Sequence, residues 1–276
     1  MSDLFIVVSM KTWVAEDFAP GLGSRKLVKD WGWEIPAAVL DADSVSWWMP
    51  AEHAARVQRA GFGLTLTAPG PYWMTTLDKS LTGRSMFAST VSKLSERALT
   101  QKVFIKPAEA KIEGFEAAWR SIGETLDICN SLNLPQDSYV QWTDTLMDLN
   151  HEYRFYILNG EVITGSQYLT NGVTYYDGAL DLKREEAQQF AEYAVQKIES
   201  QPAAYTLDVG WNSLTDSWVV IEGNPAWCSG LYGCDPQDAI KVIDASCNSS
   251  LDDEYIWKPD AFLVAKAQKK VLLPVR

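Results

Sequence analysis

The segment RFYILNGEVITGSQYL, residues 154–169, leaves the chain few ways to fold. Asn159 and Gly160 accept the left-handed angles of a tight turn, and they stand between two runs rich in β-branched and aromatic residues. A two-residue hairpin is the expected outcome. With that turn Arg154 falls opposite Gly165 and Glu152 opposite Gln167. Strand alternation puts Glu152 and Arg154 on one face, where a plain cross-strand ion pair is also a sufficient reading.

A second hairpin is expected in AYTLDVGWNSLTDSWVVIEGNP, residues 204–225. Setting Val209 opposite Ile221 places Leu207, Val209, Trp211, Val219 and Ile221 on an apolar face. Asp208, Glu222 and Asn224 then share the other face, and a slip of one residue would mix the two sets. Asp208 and Glu222 would be directly opposite, with Cβ atoms about 5 Å apart. Like charges so placed repel unless a cation lies between them. Two carboxylates and a carboxamide are hard oxygen donors suited to Mg²⁺ or Mn²⁺. The alternative is an acidic, solvated hairpin face.

The remaining chain reads as a mixed α/β protein. LFIVVSM is a buried strand, and PAEHAARVQRAG has helical spacing with Gly61 as its stop. The Pro and Gly cluster APGPYW (68–73) suggests a boundary, giving units 1–75 and 76–276. TTLDKSLTGRSMFASTVSKLSERA (75–98) reads as helical, KVFIKP (102–107) as a short strand, FEAAWRSIGETLDICNSL (115–132) as a helix and SYVQW (138–142) as a strand. Residues 181–200 form an amphipathic helix with Leu182, Phe190, Ala194, Val195 and Ile198 on its apolar side. A last helix starts at Asp235, which can cap it, with Pro236 in the first turn. KKVLLPVR (269–276) would add an edge strand.

Composition narrows the function. A formal net charge of -12 argues against a general nucleic-acid binder. No apolar run approaches the roughly 18 residues of a membrane span. The amino terminus MSDLFIVVSMKTW lacks the basic start of a signal peptide, so a cytoplasmic protein is expected. The four cysteines and two histidines lack zinc-site spacing, and reduced structural thiols are the simpler reading. Cys228, close to Glu222, is conceivable as a nucleophile, but no histidine lies near it in sequence. Trp13, Trp47, Trp48, Tyr72 and Trp73 suit either core or pocket wall.

The order of these pieces, FIKP, then YVQW, then EYRFYILNGEV, then LDVGWN and VVIEGNP, resembles that of ATP-grasp proteins from about residue 76 to 235. The resemblance implies an α+β fold in which two subdomains, about 76–140 and 141–250 with a carboxy-terminal tail, clasp a nucleotide. A small α/β domain, 1–75, precedes them. It implies that Lys106, with Lys79 as a weaker match, contacts phosphates, and that the strand bearing Gln141 and Trp142 reads the adenine edge. Asp208, Glu222 and Asn224 would hold Mg²⁺ or Mn²⁺. PAEAKIEGF lacks the glycine-rich phosphate loop of many relatives, and Lys111 would serve there instead. Trp142 stands where an acid often follows the strand, which puts the ribose contact in question.

The implied activity is ATP-dependent joining of a small-molecule or peptide carboxylate to an amine, or to a thiol, through an acyl phosphate. Arg154 and Lys106 would act on the transferring phosphoryl group. A small-molecule kinase on the same fold and a nucleotide- or partner-binding module without turnover are the alternatives. Alanine at Asp208 or Glu222 is expected to abolish turnover and leave the fold largely intact. Oligomeric state is open.

Overall fold

Leu4–Val8 forms β1 and is buried at every position. A strand with no solvated side suits the centre of a parallel sheet. β1 lies between β2 (Lys26–Asp30) and β3 (Val45–Trp48), parallel to both. α1 (Thr12–Phe18) and α2 (Ala51–Arg59) complete this first unit. α2 stops as its sequence indicates, with Gly61 at φ +85°. The computed structural model describes residues 3–176, 183–247, 253–267 and 271–274.

The stretch expected to be helical over 75–98 is mixed. α3 (Trp73–Thr76) and α4 (Lys79–Thr82) are single turns. Asp78 caps α4, and Gly83 at φ +65° closes it at once. Phe87–Thr90 then extends as β4, and Thr90 caps α5 (Val91–Leu94). The expected helix over 115–132 also begins late. Ser121 and Glu124 form a reciprocal capping box that fixes the start of α6 (Ile122–Ser131), leaving Ala118–Ser121 free to pair as β6. β5 (Lys102–Pro107) and β7 (Tyr139–Thr143) fall where expected, and the four strands form an antiparallel sheet in the order β4-β7-β5-β6.

A second antiparallel sheet has the order β10-β9-β8-β11-β12. Its strands are β8 (Leu149–Leu158), β9 (Glu161–Thr170), β10 (Val173–Thr174), β11 (Ala204–Asn212) and β12 (Ser217–Asn224). Asn159 at φ +49° and Gly160 at φ +78° make the expected turn. The expected partners are shifted, however. Bulges in β9 leave Ile163 and Tyr168 as extra residues, so Arg154 pairs with Ser166 and Glu152 with Leu169.

A third bulge alters the β11–β12 hairpin. Asp208 does face Glu222, but Val209 faces Val220 because Ile221 is the extra residue. Val220 and Trp218 therefore pack with Leu207 and Val209 on the core face. Ile221 lies on the other face with Gly210, where a Cβ would come within 2.8 Å of its side chain.

α7 (Arg184–Lys197) covers the core face through Ala187, Ala191, Ala194 and Val195, while Leu182 lies outside the described residues. α8 (Pro236–Cys247) starts at the Asp235 cap and packs on β3 and β11. α9 (Ala261–Lys266) follows a loop. One apolar cluster joins Ile6 and Trp47 of the first unit to Val103, Trp142, Trp227, Ile243 and Phe262, so the core runs across residue 75. Of the expected last strand, Leu272 makes a single bridge to Glu34, and residues 269, 270, 275 and 276 lie outside the described residues. Among the described residues no helix is long and apolar enough to cross a membrane.

Candidate functional site

Three neighbouring strands place three charged residues in one row. Asp208, at the middle of β11, is paired through its backbone with Arg154 of β8 on one side and Glu222 of β12 on the other. Residues directly opposite share a sheet face, so the row exists because of the register. Arg154 grips Asp208 with two bonds, Nε to Oδ1 at 2.8 Å and Nη2 to Oδ2 at 2.7 Å. Asp208 is 0% exposed and Arg154 8%. Lys106, at the end of β5 in the other sheet, reaches across and pairs with Glu222. Asn224 closes the group by donating from Nδ2 to Asp208 Oδ2 at 3.2 Å and to Glu222 Oε1 at 3.0 Å.

The two acids titrate in opposite directions. Burial raises the Asp208 carboxyl, with the Arg154 guanidinium pulling against it. Burial would also raise Glu222, but the Lys106 ammonium and the Asn224 amide outweigh it and hold that carboxyl at about 2. Burial works against the charge on Arg154 too, and the Asp208 carboxylate overcomes it, so the guanidinium stays ionised. Tyr168 and Tyr232 lie 5.6 and 5.3 Å from that guanidinium and stack on each other. The Tyr168 hydroxyl donates to Glu152, whose carboxyl is raised by burial first and by repulsion from Asp208 and Glu222 second.

The cluster opens into a cleft of about 580 Å³. Lys111, Lys266, Tyr232 and the start of α2 at Pro50 and Ala51 line it with Arg154 and both acids. Lys111 thus lies on the same cleft as the oxygen cluster. Lys79 does not line this cleft, and is exposed on the first turn of α4. Gln141 pairs with Lys106 across the sheet, and its side chain donates to Pro71 O at 2.6 Å. Trp142 points the other way into the core, stacked on Phe87 with Arg97 over its ring. Any contact it makes with a nucleotide is therefore left to its main chain. Burial pushes the Cys228 thiol up to about 12, so it faces the cleft as a neutral thiol and not as a nucleophile. Among the described residues no group of three or more His, Cys, Asp and Glu side chains forms a closed metal site.

Sequence reading missed Arg84, Tyr168, Tyr232 and Glu109. Arg84 is buried beneath β12 and donates to Ile221 O at 3.0 Å, to Thr82 O at 3.2 Å and to Val220 O at 3.4 Å. Burial lowers it to about 10, and Glu222 opposes that fall. Its segment, TGRSM, has no periodicity to flag it. Tyr168 enters the site because it is a bulge residue, and a bulge has no sequence signature here.

Comparison with known proteins places these residues in a family. No match is found among curated proteins. Among solved structures, D-alanine–D-alanine ligase from Bacillus anthracis, complexed with ATP, is similar at 11% identity and a TM-score of 0.48, over 89% of this chain and 97% of that one. N5-carboxyaminoimidazole synthetase from Staphylococcus aureus, complexed with ADP, gives 11% identity and a TM-score of 0.48 over 89% and 77%. C-terminally truncated Cdc123 from Schizosaccharomyces pombe gives 14% identity and a TM-score of 0.41 over 76% and 96%. Residues 81–242, more than half of the chain and including Arg84, Lys106, Arg154, Asp208, Glu222 and Asn224, match one family model, described as an ATP-grasp domain. The chain belongs to the ATP-grasp domain family.

Proposed function

We propose that the protein is an ATP- and Mg²⁺-dependent ligase that joins a carboxylate to an amine through an acyl phosphate. The observation that carries this reading is the row Arg154–Asp208–Glu222, bridged by Asn224, met by Lys106 and open to the cleft. The donor set suits a hard cation left incomplete for phosphate oxygens: Asp208, Glu222 and Asn224 offer carboxylate and carboxamide oxygens, and Mg²⁺ normally keeps other ligands. When bound there, Mg²⁺ would supply charge neutralisation for phosphate oxygens.

The protein groups have separate tasks in this reading. Lys106 and Lys111 supply ammonium charges for phosphate oxygens, with Lys79 available from α4. Lys106 must leave Glu222 to do so, which frees that carboxylate at the same moment. Gln141 and Trp142 offer β7 main chain for the base. Arg154, fixed by Asp208 and stacked by two tyrosines, presents a rigid forked cation to the phosphoryl or carboxylate oxygens. No enzyme nucleophile is needed, since positioning and electrostatics carry phosphoryl transfer.

The first test is thermal stability with ATP or a non-hydrolysable analogue, each with and without Mg²⁺. Ligand at a hundredfold excess over Kd stabilises by about 2.7 kcal/mol, roughly 5–10 °C in a chain of this size. A shift requiring both nucleotide and metal supports the site, and ADP release that depends on both a carboxylate and an amine supports the ligase. A phosphorylated product that accumulates without coupling would move the assignment to a kinase. Absence of any shift would leave the row as a structural ion network.

A further inference from the structure

A second and larger cavity, about 920 Å³, lies beside the cleft between the 68–73 segment, the start of β7 and the chain leading into α9. Its charge is opposite in character. Glu109, Asp137, Glu254 and Asp260 line it, with Lys258 as the basic residue among its walls. Tyr72 and Tyr139 meet edge to face at 5.4 Å on its wall, and Trp257 lines it as well. Carboxylates beside aromatic faces recognise an organic cation by charge and by the ring quadrupole together. The cleft offers the reverse, with Arg154, Lys111 and Lys266 on its surface.

Glu109 lines both spaces. No hydrogen bond or ion pair to it is found among the described residues. We propose that the acidic cavity receives the nucleophilic substrate as a primary ammonium, and that Glu109 is the base that deprotonates it where it meets the activated carboxylate. This rests on the ligase reading and adds the charge class of the second substrate and the residue that prepares it.

The chemistry balances. The ammonium R–NH3⁺ gives one proton to the Glu109 carboxylate. The freed nitrogen lone pair forms the C–N bond to the acyl carbon, the bond from that carbon to the phosphate oxygen breaks, and phosphate leaves with the electron pair and takes the second proton. The environment of Glu109 suits the task. Burial, and then the nearby Asp260, push its carboxyl up to about 8. A base is most effective when its pKa lies near the working pH. The other groups facing it are Asp137, Tyr139, Lys258 and Glu254 from the cavity, with Lys111, Lys266 and Cys228 from the cleft.

The test separates activation from coupling. Hydroxylamine, neutral at physiological pH, traps an acyl phosphate as hydroxamate without needing a base, whereas 1,4-diaminobutane must lose a proton. Full-length wild type and Glu109→Gln are given ATP, Mg²⁺ and a panel of amino and dicarboxylic acids with each nucleophile. The expected result is that the ratio of amide to hydroxamate falls by about 100-fold in the variant, and that the wild-type ratio rises with pH through about 8. An unchanged ratio overturns the assignment of Glu109. No hydroxamate from wild type with any acid overturns the ligase reading itself, a different failure. The cavity is read independently by quenching of tryptophan emission with 1,4-diaminobutane, with Trp257→Phe identifying the reporter. Saturable quenching weakened about tenfold in Asp137→Asn/Glu254→Gln supports it, and the absence of saturable quenching in wild type overturns it.

Discussion

The cleft and the cavity beside it share a wall at Glu109 but treat charge in opposite ways. In the cleft the buried charges of the row have partners: Arg154 with Asp208, Lys106 with Glu222, and Asn224 spanning both acids. In the cavity, among the described residues, Glu109 has no bond and Asp260 accepts from the backbone N–H groups of Tyr139 and Phe262. A paired charge is stabilised by its partner and destabilises the fold when that partner is removed. An unpaired buried charge is costly as it stands. The same chemical edit, removal of one acid, should therefore have opposite signs in the two places.

The largest effect is expected at Asp208. Asp208→Ala leaves Arg154 buried with its two bonds lost, and breaking a buried pair in this way costs about 3–5 kcal/mol. In a chain of this size that is a fall in Tm on the order of 10 °C. The geometry thus revises the sequence expectation that alanine at Asp208 would spare the fold, because Asp208 supports the protein as well as any metal it holds. A double variant with Arg154→Met should recover part of the loss. A Tm within about 2 °C of wild type for Asp208→Ala, read by calorimetry, would show that the pair contributes little, roughly 1 kcal/mol or less.

Lys106→Met comes next and acts mainly on ligand binding. The Lys106 and Glu222 side chains are about a quarter exposed, so solvent screens the pair and its loss should cost about 1 kcal/mol or less. The ATP Kd should rise about tenfold or more, as one charge-assisted hydrogen bond is worth about 1.5–3 kcal/mol. The pH dependence has a definite sign. Glu222 is depressed from 4.5 to about 2, so its contribution is present above the unfolded value and is lost as pH falls through about 2. Removing Lys106 removes the strongest group holding it down, so acid unfolding should begin at higher pH in the variant. Identical acid midpoints and an unchanged ATP Kd would break the assignment of Lys106 to both tasks.

What could be read in the sequence was whatever short-range pattern decides. The Asn159–Gly160 turn, the FIKP strand, the Asp235 cap and the opposition of Asp208 and Glu222 all follow from residues within one hairpin or one turn. The three bulges do not, because an extra residue in a ladder is decided by the packing of both faces. Ile163, Tyr168 and Ile221 moved the partners of Arg154, Glu152 and Val209 accordingly. β4 and β6 were hidden inside sequences with helical character, since their extended form depends on β7 and β5 being there to pair with them. Arg84 and Glu109 were out of reach for a related reason. Each is a lone charge in an irregular segment, and only the tertiary fold shows that it is enclosed. Of the aromatic residues weighed for core or pocket, Trp47 and Trp73 are buried, whereas Trp13 is 43% and Tyr72 44% exposed, and Tyr72 and Trp73 line the acidic cavity.

The smallest effect should be of opposite sign, at Glu109. Its carboxyl is raised from 4.5 to about 8, so between those values the folded protein keeps a proton that the unfolded chain has released. Stability contributed by this group is then full below about 4.5 and declines as pH rises toward 8. Glu109→Gln removes the titration and retains the shape, so the variant should be more stable than wild type by about 1–2 kcal/mol near pH 8 and nearly equal to it at about pH 5. Urea unfolding at the two values reads the difference directly as a shift in midpoint. An ammonium bound in the cavity would cancel the effect by giving the carboxylate its missing partner. The gap between wild type and variant at the higher pH should therefore close when 1,4-diaminobutane is added. A gap indifferent to the diamine would leave the acid unpaired but deny the cavity its cation, and a gap of the wrong sign would mean that Glu109 is already compensated and that the contrast between the two spaces does not hold.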